Sequence, residues 1–253
     1  MLPTSIKLVH TSDVHLDSRY TSDVEGGFRN GAERAFAAVV TCTKAENADL
    51  LLIVGDLFDH NRVGESDFDF VCSQLARVTC PVVLLPGNHD VHDESSVWHR
   101  LEAAGTGGHV HALLDHDGER IELNDIGTKV WGRAMAEHAP DNVPLSDTPS
   151  RQEHAWNIGM AHGLVVSERA GYGSSQITHN EIRTSGFDYL ALGHVHVWGD
   201  MSQGSTQACY PGSPVAAYAS INGGHVAIVT LCPETGVDVE QRQIDWREAV
   251  PDL

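Results

Sequence analysis

Five short clusters of aspartate, asparagine and histidine stand out from this 253-residue chain. In order they are Asp13-Val14-His15, Gly55-Asp56 with Asp59, Gly87-Asn88-His89-Asp90, His162-Gly163, and Gly193-His194-Val195-His196. Carboxylates, amide carbonyls and neutral imidazoles are oxygen and nitrogen donors of hard to borderline character. They suit Mn²⁺, Fe²⁺ or Zn²⁺, and no thiolate falls in any of the five. Asp13, His15, Asp56, Asn88, His162, His194 and His196 are seven such donors. With one bridging carboxylate, for which Asp56 is the choice, they are about right for two divalent ions roughly 3.5–4 Å apart. Such a pair makes a nucleophile of water and neutralises charge growing on a phosphoryl group. His89 is then placed to protonate a leaving group or stabilise charge, with Asp59 or Asp90 setting its tautomer. Taken singly, each cluster reads as a solvated turn. Together, five turns carrying only Asp, Asn and His in the key slots read as one site.

The elements before each cluster explain how they meet. Leu50-Leu51-Leu52-Ile53-Val54 is an unbroken apolar run that stops at Gly55-Asp56, the pattern of a strand buried on both faces. Similar runs precede the others: Ile6–Val9, Pro81–Leu85, Asn157–Ala161 and Tyr189–Leu192. In open α/β sheets, ligands bind beyond the carboxyl ends of the strands. Helices are expected over Glu33–Asn47 (Phe36, Val39, Val40 and Thr43 inward), Ser66–Arg77 (Phe70, Val71, Gln74 and Leu75 inward), Ser95–Ala104 and Thr178–Thr184. Arg120–Leu123 and Lys129–Arg133 are short strand candidates, and 138–150, with three prolines, is a loop. Gln207–Tyr210, His225–Leu231 and Val237–Ile244 read as antiparallel strands closing the second half of the core, with Pro211–Pro214 a tight turn. One domain, 1–253, is expected.

Thirty-five acidic against 16 basic residues give a net charge of −19. Two divalent ions cancel only about four of those charges, so the surface is acidic as well. That disfavours tight, non-specific binding to nucleic acid. Five cysteines without a C-x-x-C pair argue against a disulfide scaffold and for a reducing interior. Residues 1–7 lack a charged-then-apolar leader, and no apolar run approaches the roughly 18 residues of a membrane span. A soluble cytoplasmic protein without a membrane partner is expected.

In order, D-x-H, G-D-x-x-D, G-N-H-D, H-G and G-H-x-H resemble the signature of the calcineurin-like metallophosphoesterases. The resemblance implies an α/β fold of the αββα sandwich type, two mixed β-sheets face to face and flanked by helices. It also implies one ion on Asp13, His15, Asp56 and His196, a second on Asp56, Asn88, His162 and His194, and His89 as the catalytic histidine. Mn²⁺ is the ion the likeness favours. Within the family, His10–Leu16, Gly55–Asp59, Phe187–His196 and Tyr210-Pro211-Gly212-Ser213-Pro214 resemble the SbcD-type DNA-end nuclease branch. This sequence departs from that branch in three ways. It ends at Leu253, leaving no room for a capping domain or partner-binding tail; it lacks a Lys/Arg-rich stretch to track a duplex; and Asp59 stands where archaeal and eukaryotic relatives carry histidine.

The expected activity is hydrolysis of a phosphate ester, most specifically a phosphodiester. The alternatives are a DNA or RNA nuclease acting on ends, with or without a partner, and a non-catalytic scaffold. Candidate substrate contacts are Arg19, Tyr20, His60, Asn61, Arg62, Trp98, Tyr172 and Trp198, with Trp198 foremost because it lies two residues past a ligand position.

Overall fold

Strand β2 (Leu50–Val54) is buried at every position and occupies the middle of a six-stranded sheet. The computed structural model describes residues 4–17, 27–171, 173, 175–215 and 224–250. β1 (Ile6–Thr11) and β3 (Val82–Leu85) flank β2 in parallel, and β4 (Val110–Ala112) pairs in parallel with β3. On the other side β13 (His225–Cys232) runs antiparallel to β1, and β14 (Gly236–Gln243) forms the antiparallel edge.

Alternation along β2 decides what lies on each face. Leu51 and Ile53 point outward to the helices. There they meet Phe36, Val39 and Val40 of α1 (Gly31–Ala45), Phe68, Val71 and Leu75 of α2 (Glu65–Ala76), and Trp98 and Leu101 of α3 (Val97–Ala104). Leu50, Leu52 and Val54 point inward, where they pack with Ile158, Met160, Tyr189, Ala191 and Cys209 of a second six-stranded sheet. Its order is β11 (Trp198–Asp200), β12 (Gln207–Pro211), β10 (Tyr189–Gly193), β7 (Trp156–His162), β6 (Thr128–Gly132) and β5 (Glu119–Leu123). α4 (His179–Thr184), started by a Thr178/Glu181 capping box, places Ile182 on its outer face against Leu190 and Leu192. β8 (Leu164–Val166) and β9 (Gln176–Thr178) form a separate parallel pair. Two mixed sheets with helices outside is the architecture expected.

Two expectations need correction, and the shortest strands went unforeseen. The last strands do not together close the second sheet: β12 joins it parallel to β10, whereas β13 and β14 extend the first sheet. Along α2 the inward aromatic is Phe68 rather than Phe70, because 68, 71 and 75 share one helical face. The three-residue strands β4, β8, β9 and β11 are too short to show a period.

One polar chain crosses the inter-sheet core. His10 of β1 lies with Nδ1 2.7 Å from the Tyr189 hydroxyl of β10, which is 3.2 Å from Cys209 Sγ of β12. Burial holds His10 neutral, its pKa lowered to about 3. Tyr189→Phe should therefore cost about 1–3 kcal/mol by leaving the His10 ring nitrogen unpaired. Urea unfolding measures this, and an unchanged midpoint would show that the chain contributes nothing.

Candidate metal centre

The five clusters follow β1, β2, β3, β7 and β10 directly, at the carboxyl ends of parallel strands in both sheets. Turning their side chains toward one another requires unusual backbone. Asp13, His15, Asp56 and His194 have φ of 58°, 54°, 53° and 100°. Left-handed backbone costs a non-glycine residue about 1–2 kcal/mol, so other contacts must hold these turns. Asp13 N donates to the Gly55 carbonyl (3.1 Å), and His15 N to that of Asp56 (3.0 Å). Ser213 Oγ donates to the Asp13 carbonyl (2.8 Å), and His194 N reaches the Asp13 carboxylate (3.1 Å). Glycine is required where the strand ends touch. A Cβ on Gly87 would overlap the Asp56 carboxylate, and one on Gly193 would overlap the Val54 carbonyl oxygen.

The side chains bring ring nitrogens and side-chain oxygens of metal-ligand type together. His162 Nδ1 is 2.9 Å from the Val54 carbonyl, an acceptor, so Nδ1 carries the proton of the neutral ring. Its Nε2 lone pair then faces Asn88 Oδ1 (3.1 Å) and Asp56 Oδ2 (3.3 Å). His15 repeats the arrangement. Its Nδ1 sits 3.2 Å from Asp59 Oδ1, leaving Nε2 3.3 Å from His196 Nε2 and 3.9 Å from Asp56 Oδ2. His196 Nε2 is 3.5 Å from Asp13 Oδ1, and His194 Nδ1 is 2.8 Å from Asn88 Oδ1. Lone pairs crowded this way repel unless a cation lies among them. Imidazoles whose far nitrogen is fixed by a carbonyl or carboxylate are the supporting arrangement that metal ligands use. The donor set therefore fits divalent metal. Three groups of atoms, Asp13/His15/His196, His15/Asp56/His89 and Asp13/Asp56/His162, each lie within 4.8 Å of one another. Asp56 belongs to two of them.

In metal-free protein a proton replaces the cation. Burial alone would lower the His162 pKa, but the Asp56 carboxylate overrides it and raises the pKa to about 9. His194 is held low, near 4, by burial and by His162. Asp90 is not aimed at this cluster. Fully buried, it accepts from Gly87 N (2.7 Å), Phe58 N (3.1 Å) and Asp56 N (3.2 Å), tying the second and third turns together. Of the two carboxylates considered for His89, Asp59 is the one in reach. His89 Nδ1 lies 3.0 Å from the Asp59 carbonyl and 3.4 Å from its Oδ1, and the His89 ring packs edge-on against His15 at 4.6 Å.

The proposed substrate contacts fare unevenly. Arg19, Tyr20 and Tyr172 lie outside the described residues. Arg62 is exposed, and His60 Nε2 lies 3.4 Å from Asp17 Oδ2. Asn61 is structural, donating to the Val91 carbonyl and accepting from Val97 N at the start of α3. Trp98 is fully buried against Phe58 and donates to the Asp90 carbonyl, so it packs rather than lines a cleft. Trp198 is half-buried against the inter-sheet core. One residue passed over is His138, whose ring centre lies 6.3 Å from that of His194. Sitting in the proline-rich loop, it had no motif to mark it.

Residues 6–198 match the calcineurin-like phosphoesterase family, and the chain belongs to it. It is 28% identical to the uncharacterised metallophosphoesterase YhaO of Bacillus subtilis (strain 168), over 99% of this chain and 64% of YhaO. It is 27% identical to the SbcD component of the nuclease SbcCD of the same organism, over 97% of this chain and 69% of that protein. The chain thus spans about two thirds of these relatives. The crystal structure of a dimetal phosphatase from Danio rerio superposes with a TM-score of 0.58 at 14% identity, covering 96% of this chain and 99% of that one, a likeness of fold.

The raised His162 pKa gives a signed prediction. Without metal, the His162–Asp56 pair stabilises the fold fully below pH 6.5 and loses that contribution as pH rises through about 9. Metal must displace the His162 proton, so affinity should rise about tenfold per pH unit up to pH 9 and then level off. Calorimetry at pH 8 in buffers of different ionisation heat should show a proton released on binding. No release would mean that His162 is not displaced.

Proposed function

We propose that this chain is a dinuclear metal-dependent phosphodiesterase that uses Mn²⁺, with Fe²⁺ or Zn²⁺ as substitutes. Asp13, His15, Asp56 and His196 hold one ion, and Asp56, Asn88, His162 and His194 hold the other. The observation that carries this reading is the crowd of lone pairs around Asp56, with His162 Nε2 facing two acceptors at 3.1 and 3.3 Å. When bound, the ions supply an activated water and neutralise the phosphoryl oxygens.

The chain's own groups do the rest. Asp59 accepts from His15 on one side and lies against His89 on the other, so it fixes the direction of both rings. His89 is solvent-facing and directs the ring edge opposite Nδ1 outward, where an imidazolium can hydrogen-bond a phosphoryl or leaving oxygen. His89 N donates to Asp56 Oδ1 (2.8 Å), which fixes the bridging carboxylate from the side away from His162. The preference for diesters is supported by the motif likeness to the nuclease branch and by the 27% identity to the SbcD component of SbcCD.

That identity also favours a second reading, nuclease action on DNA or RNA ends. The excess of 35 acidic over 16 basic residues argues for weak, partner-assisted contact with such a substrate. No helix among the described residues is long and apolar enough to cross a membrane. The five free cysteines suit work in a reducing, cytoplasmic interior.

Chelator-stripped protein should hydrolyse bis(p-nitrophenyl) phosphate only after Mn²⁺ is added. Asp56→Asn should abolish both metal binding and turnover, and His89→Ala should lower kcat by about 10²–10⁴ while keeping the ions. Faster hydrolysis of the monoester than of the diester would overturn the diester assignment. Metal and activity should also be lost together below about pH 5–6, where ligands protonate. Full metal content in the acid-inactivated enzyme would contradict this.

A further inference from the structure

We infer that His138 is a second catalytic imidazole, delivering a proton to the leaving oxygen on the His194 side of the centre. The inference rests on the phosphodiesterase reading above and adds a residue that neither the motifs nor the family match assigns.

Placement is the first argument. Two exposed imidazoles lie against the candidate ligands. His89 packs on His15 with ring centres 4.6 Å apart, whereas His138 faces His194 edge-on at 6.3 Å. The two are thus paired with histidines assigned to different ions.

The loop that carries His138 is built to hold it there. Ala134 N donates to the Asp115 carbonyl (3.0 Å), and His92 N, three residues beyond His89, donates to the Met135 carbonyl (2.8 Å). Past the histidine, Asn142 Nδ2 donates to Ser175 Oγ (2.9 Å) and Arg133 Nη1 to the Val143 carbonyl (3.2 Å). Ser175 Oγ in turn reaches Met135 Sδ (3.8 Å), closing the base of the loop. The loop is therefore pinned both to the segment after His89 and to the one after His162. His138, exposed between these two fixed stems, is thereby held with its ring 6.3 Å from that of His194.

Chemistry is the second argument. In diester hydrolysis the oxygen of water bonds to phosphorus, and the P–O bond to the leaving group breaks. The electron pair of that bond goes to the leaving oxygen, which takes the proton from the His138 imidazolium, and the attacking water releases a proton to solvent. Attack and departure occur on opposite sides of phosphorus. One imidazole therefore cannot serve both sides. His89, directed by Asp59, is left to stabilise the phosphoryl oxygens.

A general acid matters in proportion to the basicity of what leaves, and that gives the test. Wild-type, His138→Gln and His138→Ala enzymes loaded with Mn²⁺ would be assayed on a series of aryl and alkyl phosphodiesters, with metal content measured alongside. Both variants should keep two ions, and their loss in kcat should grow with the basicity of the leaving group, reaching about 10²-fold or more with an alkoxide leaving. Equal rates for wild type and variants across the series would overturn the inference. So would a uniform loss accompanied by loss of metal, which would make His138 a support for His194. If the loaded wild-type enzyme hydrolyses no diester in the series, the phosphodiesterase reading itself fails, an outcome distinct from either.

Discussion

Everything at the centre depends on bringing carboxylate, amide and imidazole lone pairs to within 2.8–3.9 Å of one another in a largely buried place. No apolar core offers that arrangement for free. Buried acceptors facing one another lose their water and gain only repulsion. The fold tolerates it because each donor is fixed from behind. His162 is held by the Val54 carbonyl, His15 by Asp59, Asp13 by Ser12 and by the backbone of His194, and Asp56 by the backbone of His89. With the outer atoms committed, the inner ones can relax only by admitting a cation.

The same requirement explains the strained turns and the glycines around them. Val54 O serves as the anchor for His162, yet it lies where a side chain on Gly193 would stand. Gly87 leaves space for the Asp56 carboxylate in the same way. Packing of two strand ends from different sheets thus dictates residue type at positions that never touch a ligand. Asp90 extends the principle, since three backbone N–H groups from two turns converge on one buried carboxylate.

Much of this was legible in the sequence, for identifiable reasons. The β2 run needs burial on both faces, so it could only be a central strand, and its stop at Gly55-Asp56 fixed the level of the site. The stripe of Phe36, Val39, Val40 and Thr43 marked α1 because helical period survives over fifteen residues. Three-residue strands leave no period to read, which hid β4, β8, β9 and β11. The direction of β12 was hidden because alternation reports which face a residue takes and is silent about its neighbour. Trp98 illustrates the converse error. An aromatic eight residues past Asp90 looked like a cleft residue, but its indole N–H was committed to the Asp90 carbonyl. His138 escaped notice because only the tertiary path of its loop brings it to His194.

Asp59 shows how one substitution can redistribute roles around a shared centre. A histidine at this position would add a third ring to the pair formed by His15 and His89, with its own tautomer to satisfy. A carboxylate instead accepts from His15 Nδ1 and lies beside His89 Nδ1, at 3.2 and 3.4 Å. Its negative charge strengthens His15 as a ligand by holding the ring proton on the far nitrogen. It also fixes the direction of the His89 ring, whose Nδ1 lies against both the carbonyl and the carboxylate of Asp59. The two effects share one residue, so the settings of the His15 and His89 rings are coupled at Asp59. That coupling ties His89 to the His15 side of the cluster, whereas the His194 side is approached by a ring from another loop, His138.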